Sequence, residues 1–309
     1  MYKNILPVWI ILAFVSAFFN GCYDISKKTA VNNNAVLPVL FLTTLFAVLL
    51  LLPVALLSRF HPERMENSLL HIPEMSAQAH IQILIRAAII VFAWLTGYSA
   101  LKHLPITIAG PVNATRPVMT LVLAIIIFRE NLNPYQWIGV LITIASLFLL
   151  SLSGKREGVD FARNRWITLA FSGALTGSIS ELFEKFLMQR ISFMAVLLWT
   201  SVYQSLIIGI ILLIALLLKP GMKFNFTFRW SIPLITLFLM LTDFAYLNAL
   251  SCTGAMISMI SLIRRSSVLV SFAGGVIFFR EKNLKAKVTD LLLIVLGMIF
   301  LYLGCASVP

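Results

Sequence analysis

The chain has 309 residues, 60% of them hydrophobic and 12% charged, with a formal net charge of +12. Soluble domains carry about 25% charged residues, so the composition excludes a water-soluble enzyme or binding module and indicates a polytopic membrane protein. The basic residues are scattered over short loops, without the dense stripe that nucleic acid requires, and suit loops facing anionic lipid instead.

Taken in order, runs of about 20 apolar residues bounded by charge or turn residues predict transmembrane helices. Ten such runs are present: 7–27, 36–57, 83–101, 105–128 and 134–152, then 166–187, 193–218, 230–250, 255–279 and 288–304. The first begins after Lys3 without a small-residue cleavage site, which predicts an uncleaved span. The polar loop 59–82 is the longest break between runs, and the charged stretch GKREGVDFARNR at 154–165 links two halves, 1–153 and 166–309. Cys22, Cys252 and Cys305 are few and widely spaced, and His61, His71, His80 and His103 do not cluster, so no disulfide framework, metal or cofactor is expected.

The halves repeat one another. NATRPVMTLVLAIIIFRE at 113–130 matches SLIRRSSVLVSFAGGVIFFRE at 261–281, which pairs Arg116 with Arg265, and Thr115 with Arg264. Both stretches end in Phe-Arg-Glu. Asp24 matches Glu181, Lys28 matches Lys185, and Trp94 matches Asp243. An odd number of spans per half forces the halves into opposite orientations. The fold class expected is therefore an all-α membrane protein of ten helices in two inverted five-helix repeats. That is the architecture of secondary transporters, with cargo held near the midplane.

The duplicated spans, the deep polar position before an apolar helix ending in Phe-Arg-Glu, and the glycine-centred spans around Gly139 and Gly297 resemble the drug/metabolite transporter superfamily, and within it the ten-span EamA-type members. The usual ending has Gly before Glu, where this chain has Arg129 and Arg280. The resemblance implies spans one to four and six to nine around a central cavity, with five and ten packed outside. It leaves the substrate open among amino acids, nucleotide sugars, sugar phosphates, amines and lipid-linked groups.

Arginine near a bilayer midplane costs about 2.5–3.5 kcal/mol on insertion scales and does not deprotonate, so it faces protein or a wet cavity. Arg116, Arg264 and Arg265 are the foremost candidates, either as an anion site or as ion pairs locking the halves together. Consecutive helical residues point about 100° apart, so Arg264 and Arg265 cannot share one target; Arg116 with Arg265 is the pseudo-symmetric pair. Asp243 is expected to partner a deep arginine, with a proton carrier as the alternative. Asp24 with Lys28, and Glu181 with Lys185, stand four apart, acid first, as local helix pairs that could gate or couple ions. Glu184 and Lys27 are counterparts of opposite sign. Asn113, Trp94 and Tyr203 complete the expected cavity lining, and Pro111, Pro117 and Gly274-Gly275 are candidate hinges. Six positive groups (Arg116, Arg264, Arg265, Lys27, Lys28, Lys185) face four negative ones (Asp24, Glu181, Glu184, Asp243), which leans towards anionic or zwitterionic cargo.

The expected activity is secondary transport, not catalysis, at the cell inner membrane. The expected partners are a small-molecule substrate, protons and lipid, in a monomer or homodimer. Alternatives are a lipid-head-group flippase, or a cation exporter using Asp243 and Glu181. Loop charge places both termini outside, whereas the resemblance places them in the cytoplasm.

Overall fold

The computed structural model describes residues 8–65, 68, 70–116, 118–119, 123, 133–155, 163–188, 190–218, 225–252, 260, 263–264, 266–279 and 284–306. Within these the chain is helical: α1 Val8–Val31, α2 Val36–Phe60, α3 Pro62–Met65, α4 Ala77–His103, α5 Ile106–Ala114, α6 Pro134–Lys155, α7 Arg165–Met188, α8 Phe193–Leu218, α9 Ser231–Ser251, α10 Ser267–Phe279 and α11 Leu284–Ala306. Helices satisfy every backbone donor and acceptor within one segment, which hydrocarbon demands. Among the described residues, five are long and apolar enough to cross a membrane: α1, α2, α4, α8 and the stretch Ser231–Ala249 of α9. α10 is a shorter apolar helix.

Large apolar side chains such as Phe14, Leu50, Phe92, Leu213 and Ile277 are exposed, as expected where the outer solvent is lipid. The inward faces are built from smaller and polar groups. Ala13, Ala17 and Gly21 recur every four residues on the buried side of α1, a small-residue stripe that lets helices approach closely. α1 packs along α9 and α4 along α7, while α2 meets α8, α5 meets α10 and α6 meets α11. Ser16 Oγ donates to the Thr242 carbonyl at 2.9 Å across the first of these seams. One end is clamped by the α1–α2 turn, where Asn33 takes φ 52°. Next to it, Asn34 donates to the Thr227 carbonyl and accepts from the Thr227 amide.

Three sequence expectations change here. α4 begins at Ala77, capped by Ser76 accepting from the Ala79 amide, so the membrane-entering helix starts six residues before the apolar run does. The predicted span 255–279 is interrupted: residues 263–264 are helical, a turn follows at Ser266, and α10 starts at Ser267. Ser266 Oγ bonds the Ile263 carbonyl at 2.6 Å, a local side-chain bond that competes with the helical ladder. Gly274-Gly275 is no hinge, because α10 runs through it as continuous helix. A β-carbon on Gly274 would lie 2.3 Å from Ile25 Cδ1, so its bareness serves close packing of α10 on α1.

Candidate functional site

Five helices turn one polar face inward, each at the three-to-four-residue spacing that lines up side chains on a helix. On α4 the face is Arg86, Ala93, Trp94 and Gly97; on α7 it is Gly177, Ser180, Glu181 and Glu184. α8 supplies Thr200, Ser201 and Gln204, and α9 supplies Leu239 and Asp243. α1 supplies Asn20, Asp24 and Lys27. Together they enclose two adjoining cavities, of about 140 and 160 Å³. Trp94, Leu239, Arg116, Glu181 and Arg264 belong to both.

The charges in these cavities are paired, three of the pairs between helices and one within α1. Arg86 Nη2 lies 2.8 Å from Glu184, Arg264 Nη2 2.8 Å from Asp243, and Arg116 Nη1 3.4 Å from Glu181. Lys27 Nζ lies 2.6 Å from Asp24 and 4.4 Å from the centre of the Tyr23 ring. Arg86 Nη1 also donates to Thr200 Oγ1 at 2.9 Å, and the Arg264 guanidinium stacks over Tyr246 at 4.3 Å. Removing two charges from water is costly, and only tight pairing with further hydrogen bonds offsets it. Arg116 reaches Glu181 by lying across Gly177. Its carbonyl accepts from Ser178 Oγ at 3.2 Å, so side chain and backbone both rest on α7.

The residues expected from sequence fall out unequally. Arg116, Arg264, Asp243, Glu181, Asp24, Trp94 and Asn113 all line a cavity, and Asp243 has an arginine partner in Arg264. Arg265, Pro117, the first Phe-Arg-Glu ending (128–130) and Arg280-Glu281 of the second lie outside the described residues, as does the Lys185 side chain.

One of the local pairs, Asp24 with Lys28, is corrected. Asp24 takes Lys27, three residues on, rather than Lys28. Lys28 donates to the carbonyls of Leu101 at 2.6 Å and Leu104 at 2.5 Å. These carbonyls close the C-terminal end of α4, where the helix dipole favours a cation. Glu181 takes Arg116 from another helix. Glu184 and Lys27 do not face each other, since each has its own partner.

Tyr203 is also misplaced by the sequence reading. Its hydroxyl meets His80 Nδ1 at 2.9 Å and its ring packs 5.9 Å from Trp199. It lies about 100° around α8 from Gln204 and about 60° from Thr200, beyond the edge of the cavity face.

Among the charged cavity residues, one was missed. Arg86 is 8% exposed, and the apolar run beginning at Ile83 places it at a membrane edge where arginine is unremarkable. The depth argument used for Arg116 applies to it equally once α4 is started at its Ser76 cap.

No curated protein sequence matches the chain. A solved structure described as "Crystal structure of protein" shares its fold, with a TM-score of 0.62 at 16% identity, over 97% of this chain and 99% of that one. Residues 7–152 match the family described as the EamA-like transporter family. That stretch, a little under half of the chain, is similar to the family; the rest of the chain carries no such match.

Proposed function

We propose that the protein is a ten-span secondary transporter of the cell inner membrane, built as an inverted repeat, which carries a small anionic or zwitterionic metabolite by alternating access. The observation that carries this reading is the pair of adjoining polar cavities crossed by ion pairs between helices. Intramembrane charge is expensive and marks a cargo pathway by default.

Two further features support it. The packing partners survive an exchange of the halves: α1 on α9 becomes α7 on α4, while α2 with α8, α5 with α10 and α6 with α11 map onto themselves. The break at Ser266 sets Arg264 beside an interrupted helix, and α5 ends at Ala114, just before Arg116. Discontinuous helices near the midplane are where transporters of this architecture hold cargo.

Among the described cavity residues, the cations Arg86, Arg116, Arg264 and Lys27 balance the anions Asp24, Glu181, Glu184 and Asp243. That balance moves the preference from anions to zwitterions, which can enter between paired charges without adding net charge. Asp243 and Glu181 each face an arginine, which weakens the cation-exporter alternative. Uptake of anions, zwitterions and cations into proteoliposomes, with and without a proton gradient, tests the reading. Uptake confined to organic cations would overturn it.

A further inference from the structure

The charged groups of the first cavity are held in ion pairs; Gln204 and Ser180, both neutral and well buried, are not held by any side-chain bond among the described residues. Gln204 is 5% exposed and lines this cavity. Its carboxamide offers two donors and an accepting oxygen, and no group among the described residues hydrogen-bonds it, so these atoms are open to the cavity. Ser180 is likewise 5% exposed, lines the same cavity, and has no side-chain hydrogen bond among the described residues. Around them, Arg86 is held by Glu184 and Thr200, Arg264 by Asp243, and Arg116 by Glu181.

Both groups sit among these pairs. Gln204 is one turn beyond Thr200 on the α8 face, and Ser180 lies on α7 between Gly177 and Glu184, beside Glu181. Polar atoms open to a cavity are bonded by water until a ligand replaces it, and a ligand group that reproduces those hydrogen bonds loses nothing by the exchange. A charged ligand group at this position would meet arginines and carboxylates that already neutralise each other, and would bring uncompensated charge into low dielectric. A neutral donor–acceptor group meets neither obstacle.

We propose that Gln204 and Ser180 form the specificity-determining corner of the cavity, and that this corner takes a neutral hydroxyl or carboxamide group of the cargo. The inference rests on the transporter reading and narrows its substrate class to polar, hydroxyl- or amide-bearing zwitterions. Sites that hydrogen-bond a polar substrate group reject apolar analogues strongly, because the analogue leaves the protein group stranded.

The test uses the full-length protein in proteoliposomes with L-glutamine and L-methionine, similar in length and differing in carboxamide against thioether. The parent is expected to take up glutamine at least about tenfold better than methionine. Gln204→Met is expected to bring the ratio close to one while methionine uptake persists. Ser180→Ala, which removes only a hydroxyl, should lower the ratio part of the way and carries the test if Gln204→Met fails to fold. A parent that moves zwitterions with a ratio near one, or a ratio unchanged in the variants, overturns the corner and leaves the transporter standing. A parent that moves no anion or zwitterion at all overturns both.

Discussion

The guanidinium of Arg116 occupies the space where residue 177 would carry its side chain: a β-carbon on Gly177 would lie 2.4 Å from Arg116 Cζ. Glu181, one turn further along α7, receives that guanidinium at 3.4 Å. The glycine is therefore a seat for a charge that belongs to both cavities.

Gly177→Ala should displace Arg116 from Glu181 while leaving the fold intact. The clash falls on the far end of a flexible side chain, and alanine favours the helix over glycine by about 1 kcal/mol. Melting is expected to change little while uptake falls at least tenfold. Paired thermal-shift and uptake measurements check this; unimpaired uptake would remove Arg116 from the transport pathway.

Asp243→Asn should destabilise the protein, because it strands Arg264. Breaking one partner of a buried pair costs about 3–5 kcal/mol, and the partial wetting of this cavity sets the expectation near the lower end. Adding Arg264→Gln should restore much of the loss. A single variant as stable as the parent that loses only gradient-driven uptake would identify Asp243 as a proton carrier instead.

Lys28→Met should act on stability alone. It removes a cation that bonds two carbonyls at the end of α4, and hydrogen bonds to charged groups are worth about 1.5–3 kcal/mol. Transport per folded molecule is expected to stay near the parent's, read as uptake normalised to monodisperse protein. Lost uptake at unchanged melting temperature would make Lys28 a gate after all.

Much of this was legible in the chain because hydrocarbon is a strict solvent. Depth alone singled out Arg116, Arg264 and Asp243, and the apolar run 193–218 coincides with α8. What sequence could not supply was the partner across the helix seam. Spacing sees one helix at a time, so it joined Asp24 to Lys28 and gave no sign of the arginine beside Glu181. Tertiary packing instead offered Lys28 the open carbonyls of α4 and offered Glu181 an arginine. Arg86 was hidden because its helix is started by a serine cap in polar sequence, ahead of the apolar signal. Tyr203 was misjudged by a single position of helical phase.

The pairing of cavity charges bears on energetics at the scale of the whole cell. The membrane potential does about 2.3 kcal/mol of work per elementary charge moved through 100 mV. With Arg86, Arg116, Arg264 and Lys27 each matched by a carboxylate, the described cavity charges sum to zero when no cargo is bound. In the transport cycle proposed above, voltage then has no grip on them as the empty carrier returns, and any electrical signature of turnover comes from what is carried. We predict that a clamped potential leaves net zwitterion uptake unchanged, as a potassium–valinomycin series in proteoliposomes would read. Neutralising one arginine should make the return step voltage-dependent.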